Sequence, residues 1–163
     1  MSAGEPVRYI PRIARKYRRL GYPTYDWVRS VEPPPWQPLA RPLRESRVAL
    51  VASGGIYVAG QIAFHFKDDT SYRVIPTDVD TRDLRATHFA YDLTDARRDP
   101  NVVFPIDTLR GLAAEGVIGT LASRALAFMG GIYSVRRVRE ELVGPIVREL
   151  LDQQVDVALF VPV

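Results

Sequence analysis

The chain has 163 residues, 47% of them hydrophobic, a formal net charge of +3 and no cysteine. That length fits one domain able to bury a core without staples, and the missing cysteines exclude disulfides and thiolate metal sites within these residues. No stretch reaches the apolar length of a membrane span and no apolar core follows the N-terminal charges as a signal peptide requires, so a soluble, cytoplasmic chain with no membrane partner is expected.

The first predicted element is a helix from about Pro11 to Leu20, stopped by Gly21. Arg8, Arg12, Arg15, Lys16, Arg18 and Arg19 alternate there with Ile10, Ile13, Ala14, Tyr17 and Leu20 near helical spacing. Such a helix can bind nucleic acid or an acidic partner. The reading favoured on the residues is a helix docked on the domain with its cationic face in water, and nucleic-acid binding is the weakest alternative. From Tyr22 to Pro42 the chain is expected to be extended: Pro33-Pro34-Pro35 fits neither a helix nor a central strand, and Trp36 is expected to anchor the arm. Residues 1–43 therefore read as a basic helix and Pro-rich arm, and residues 44–163 as an α/β domain.

Arg47 to Ala52 is the first strand, and Ser53-Gly54-Gly55 is the turn after it. The charged stretch from Ile56 to Asp99 is loop-rich, with short strands expected near Gln61–Phe66 and Tyr72–Ile75. A helix starts after Pro105, with Asp107 in its first turn, and stops at Gly116. Val117–Leu121 and Ala125–Met129 read as strands. Ser134 caps a helix to about Gln153, with a kink after Val143 because Pro145 removes a backbone donor. The last run, Val155 to Val163, is apolar and β-branched and reads as a fully buried strand. In an α/β sheet the chemistry sits in the loop beyond the carboxyl end of such a strand. The residues admit two readings of this end: a chain cut short, or a natural terminus with Val163 docked on the sheet.

Gly54-Gly55-Ile56-Tyr57 and Gly130-Gly131-Ile132-Tyr133 form an internal echo, each after a strand-like run. Two such turns would line one edge of a parallel sheet and, at a helix N-terminus, offer backbone N–H groups to an anion. The plainer explanation is tight turns needing positive φ. The third glycine of a dinucleotide fingerprint is missing. Asp78, Asp80 and Asp83 fail as a calcium loop, because Arg82 takes a ligand position and the glycine is absent. Two histidines make no metal site alone; His65, between Phe64 and Phe66, reads as structural. His88-Phe89-Ala90-Tyr91-Asp92 carries more promise, since a histidine and a carboxylate in one loop can orient a proton or a substrate ammonium.

Taken in order, Val48-Ala49-Leu50-Val51 with Ser53-Gly54-Gly55, then Thr87 to Asp92, then Asp99-Pro100-Asn101-Val102-Val103-Phe104-Pro105-Ile106-Asp107, Glu115-Gly116-Val117-Ile118-Gly119 and the terminal Val155 to Leu159 resemble the selenoprotein B family of glycine, sarcosine, betaine and D-proline reductases. The resemblance covers roughly Arg44 to Val163 and is most specific from Asp99 to Gly119. The arm from Tyr22 to Pro42 resembles the shorter, stand-alone members. The resemblance implies an α/β three-layer domain with a mainly parallel, Rossmann-like sheet, incomplete at its C-terminus. It implies reductive cleavage of a carbon–nitrogen bond of an amino acid or betaine with dithiol electrons, which makes the family oxidoreductases. It implies a selenocysteine or cysteine immediately after Val163, the reading frame having been ended at a UGA codon, so that these residues alone are inactive. This chain then holds no cofactor of its own; a partner subunit supplies a pyruvoyl group, a thiol protein supplies electrons, and a homo-oligomer is compatible. His88, Asp92 and Tyr91 are the expected catalytic residues, and Ser53, Gly54, Gly55, Gly130 and Gly131 the expected substrate- or anion-binding ones. The rival class is a non-enzymatic binding module for a small anion or a protein partner.

Overall fold

The computed structural model describes residues 8–24 and 28–163. They fall into two compact units, the described residues up to Gln37 and those from Pro38 to Val163. In the first, helix α1 spans Tyr9–Arg19 and ends at Gly21, whose φ of 80° only glycine adopts at no cost. None of its residues is buried. The arm has no regular structure among its described residues, and residues 25–27 lie outside them. Trp36, expected as an anchor, is 87% exposed.

The second unit is an α/β domain with a mostly parallel sheet. Its central strand, β1 (Arg47–Ala52), is buried along nearly all its length. A three-residue strand β2 (Ile56–Val58) follows, then β3 (Tyr72–Pro76) and β4 (Leu84–Ala86). Next come a short helix α2 (Thr94–Arg98) and helix α3 (Ile106–Ala114). Asn101 Oδ1 accepts the Asp107 N–H at the start of α3, and Gly116 at φ 71° ends the segment, as Pro105 and Gly116 predict. Strands β5 (Thr120–Leu121) and β6 (Arg124–Phe128) come next, and β7 (Val157–Val161) is last.

One edge of β1 pairs in parallel with β7 from Val48↔Val157 to Ala52↔Val161. The other edge pairs with β5 at Val48↔Leu121 and with β6 at Val51↔Leu126, so the register slips by two residues around Ala122 and Ser123. The strand predicted over 117–121 shrinks to two residues because the Val117 and Ile118 N–H groups close on the Leu112 carbonyl at the end of α3. Strand β3 closes the far side, antiparallel to β6, and β2 and β4 form a separate antiparallel pair. Residues 61–66, predicted as a strand, form none. They turn back on themselves, with the Asp69 carboxylate accepting the His65 N–H and the Arg73 guanidinium donating to the Ile62 carbonyl.

Alternate residues of β1 face two cores, as period-2 geometry requires. Val48, Leu50 and Ala52 pack with Phe104, Ile106 and Leu109. Val51 and Leu126 pack with Leu142 and Ile146 on the last helical segment. That segment begins at Ser134, whose hydroxyl accepts the Arg137 N–H. It runs as α4 (Val135–Arg137), a π-helical turn (Val138–Val143) and α5 (Gly144–Asp152). The break expected from Pro145 is thus taken up as a π turn just upstream, which accommodates its missing N–H and bulky ring. Strand β7 is not fully buried as predicted: Leu159 is 40% and Phe160 57% exposed. It is an edge strand among the described residues, pairing only with β1.

Candidate functional site

The carboxyl ends of the parallel strands β1, β6 and β7 meet at Ser53. Its N–H donates to the Val161 carbonyl (3.0 Å), its carbonyl accepts the Gly130 N–H (2.8 Å) and its hydroxyl accepts the Val163 N–H (2.9 Å). Gly54 and Met129 form an isolated bridge, and the Gly55 N–H donates to the Phe128 carbonyl at 2.9 Å. The turns that carry the two glycine pairs, predicted to share one edge of the sheet, are therefore joined by backbone hydrogen bonds.

The 87–91 run lies against this edge. The Thr87 N–H donates to the Gly55 carbonyl (3.0 Å) and the Tyr91 hydroxyl to the Gly54 carbonyl (2.7 Å). A Cβ on Gly55 would sit 2.0 Å from the Thr87 carbonyl oxygen, and φ is 69°. Here glycine is required twice over. A Cβ on Gly131 would instead meet the tip of the Phe89 ring at 2.3 Å. Phe89 is in turn stacked on Tyr133, with centroids 6.4 Å apart.

His88 is 8% exposed. Its Nδ1 accepts the Ala90 N–H at 3.0 Å, so the neutral ring carries its proton on Nε2. Burial disfavours the cation and lowers the pKa below its usual value. The Nε2 atom is buried and has no hydrogen-bond partner among the described residues. A buried donor left unpaired is costly and calls for a partner. The Tyr91 ring lies 4.7 Å from the imidazole, and burial raises the phenol's pKa, with Arg97 opposing.

Of the eight side chains and glycines singled out in the sequence, seven converge here: Ser53, Gly54, Gly55, His88, Tyr91, Gly130 and Gly131. Asp92 does not join them. Its carboxylate accepts the Thr94 hydroxyl (2.7 Å) and the Thr94 N–H (2.9 Å), which holds its pKa low and starts α2. The backbone N–H groups near the second pair are also engaged within the chain. Gly131 donates to the Met129 sulfur, while Tyr133 and Ser134 donate to the Asp68 carboxylate. The anion at the start of this helix is thus an internal one. Sequence reasoning gives no role to Thr87 and Phe89, the residues that press against the glycines. Their only signal is that they flank His88. No described helix is long and apolar enough to cross a membrane.

Comparison with known proteins places the sequence in a family. The model of the glycine/sarcosine/betaine reductase selenoprotein B family matches residues 21–162. D-proline reductase subunit gamma of Acetoanaerobium sticklandii is 38% identical over 133 residues, covering 82% of this chain and 55% of the relative. Glycine reductase complex component B subunit gamma of Symbiobacterium thermophilum is 30% identical over 139 residues, covering 82% and 32%. Sarcosine reductase complex component B subunit beta of Peptoclostridium acidaminophilum is 33% identical over 117 residues, covering 66% and 24%. The chain thus spans about half the length of the first of these relatives and about a third or less of the others. No solved structure matches it. The match over residues 21–162 makes this chain a member of the glycine/sarcosine/betaine reductase selenoprotein B family.

Proposed function

We propose that this chain is part of a reductase-complex subunit that cleaves the carbon–nitrogen bond of an amino acid or betaine. The dithiol gives two electrons and two protons and becomes a disulfide; the carbon takes a hydrogen, and the nitrogen leaves as ammonium or amine. The observation that carries the reading is the unpaired, buried His88 Nε2 at the carboxyl edge of the parallel strands, in a chain of this family. In this proposal the family's redox residue, a selenocysteine or cysteine, follows Val163 and would supply the nucleophile, and a pyruvoyl group on a partner subunit would activate the substrate amine. A position after Val163 suits such a residue, because the Val163 N–H is already held by Ser53 Oγ beside both glycine pairs.

The chain's own residues have the following roles. His88, neutral at pH 7, donates a hydrogen bond from Nε2 to a substrate carbonyl or carboxylate oxygen. It does not act as an acid, because the ring proton is its last. Tyr91 fixes the Gly54 carbonyl and the imidazole face. Gly55 lets the Thr87 backbone approach, which holds the His88 loop against the strand ends. Ser53 fixes where the chain leaves β7.

The test begins with the codons after Val163. A UGA or cysteine codon followed by an open frame is expected; UAA or UAG overturns the assignment. The chain is then extended through that frame with cysteine at the redox position. Its thiol is expected to react with iodoacetamide near pH 6 faster than free cysteine, through a depressed pKa. A thiol of ordinary reactivity favours a binding module instead.

A further inference from the structure

Helix α1 lies outside the stretch matched to the family, which begins at residue 21, and no role assigned above uses it. It carries Arg12, Arg15, Lys16, Arg18 and Arg19, with Arg8 just before it, and residues 8–24 contain no Asp or Glu. Among the described residues, none of these cations has a carboxylate partner. Tyr9, Ile10, Ile13, Tyr17 and Leu20, three or four apart or adjacent, make one apolar stripe whose members are 41–61% exposed. A helix this short is marginal in water by itself, and helices of this kind are normally held by packing the stripe on something.

The covering surface has to satisfy two demands together. Nucleic acid would neutralise the cations and leave the stripe in water. A purely apolar groove would cover the stripe and leave the cations without counter-charge. We propose that α1 lies on an anionic lipid surface, its apolar stripe at the acyl boundary and its cations among the headgroups. Tyr9 and Tyr17 suit that boundary, since a phenol is apolar in its ring and polar at its tip. The stems of Arg12 and Lys16 are long enough to carry their charges back to the headgroups. This replaces the expectation of no membrane partner, which rested on the lack of a spanning segment. It is independent of the proposed reductase chemistry.

The test is cosedimentation of the purified chain with vesicles of phosphatidylcholine alone or of an equimolar mixture with phosphatidylglycerol. The chain is expected to bind the anionic vesicles at low salt at least about ten-fold better than the neutral ones, and to be released by salt. Ile13→Glu and the pair Arg15→Glu, Lys16→Glu are each expected to lower binding at least about ten-fold. The melting curve of residues 38–163 should stay unchanged, and Arg139→Glu should bind as the parent does. No binding to either vesicle, equal binding to both, or full binding by the double variant overturns the proposal. An α1 that seats instead in an acidic-rimmed groove of another protein gives the first of these results.

Discussion

The two glycine pairs are nearly identical in sequence and sit side by side at the strand ends, yet they are held by different neighbours. At Gly55 the obstruction is backbone. The Thr87 carbonyl leaves no room for a Cβ, φ is in the left-handed region, and the adjoining Gly54 carbonyl is tied to Tyr91. At Gly131 the obstruction is the tip of a partly exposed Phe89 ring, and φ is not positive. Backbone cannot yield without breaking hydrogen bonds on both sides, whereas a ring can swing away. One pair is therefore a fixed point of the site, and the other is its adjustable wall.

The largest expected effect follows directly. Gly55→Ala should lower the unfolding free energy by about 3–5 kcal/mol in urea titrations, from the left-handed φ and the backbone clash together. A loss below about 1 kcal/mol would break the contrast. Tyr91→Phe should cost about 1–2 kcal/mol, because it leaves the Gly54 carbonyl without its donor. A neutral result would mean that water replaces the phenol.

His88 has a folded-state pKa below its ordinary value of 6.5, through burial. As pH falls, the unfolded chain takes up the proton first. The contribution of the neutral ring is thus fully present above about pH 6.5 and is lost as pH falls below it, at no more than about 1.4 kcal/mol per pH unit. His88→Leu should flatten the stability curve between about pH 7 and pH 5. An unchanged slope would assign the loss to other groups. The smallest effect is expected at the adjustable wall. Gly131→Ala should cost less than about 1 kcal/mol, and less again with Phe89→Leu beside it. A cost matching that of Gly55→Ala would show that Phe89 is as immovable as backbone.

Much of this was legible in the residues because local and global signals agree. Strand β1 has a continuous apolar run, α3 has Pro105 before it and Gly116 after it, and Ser134 is a true cap. The failures share a cause in long-range pairing. Residues 61–66 look like a strand, but their backbone groups are taken by neighbouring side chains: the Asp69 carboxylate accepts the His65 N–H and the Arg73 guanidinium donates to the Ile62 carbonyl. The bulge at Ala122 and Ser123 exists because the Arg124 N–H and the Thr77 N–H both find partners there, Gln153 Oε1 and the Ser123 carbonyl. Asp92 is held by Thr94 for a local reason: Thr94 lies two residues on, and an aspartate at that spacing closes on its own backbone. The convergence of His88 with both glycine pairs could be guessed from the order of motifs, but the unpaired Nε2 could not.

The parallel pairing of β1 with β7 has a consequence for synthesis. The Arg47 N–H is held by Asp156, 109 positions later, so the most deeply buried strand of the sheet emerges long before the strand that covers one of its edges. At about 5–20 residues per second the ribosome needs roughly 5–20 s to supply that partner. Through that interval β1 carries an open edge of high aggregation tendency, and a topology with such high contact order closes late. Efficient production of this protein should therefore depend on holding chaperones and on slow, cool expression more than on the stability of the finished fold.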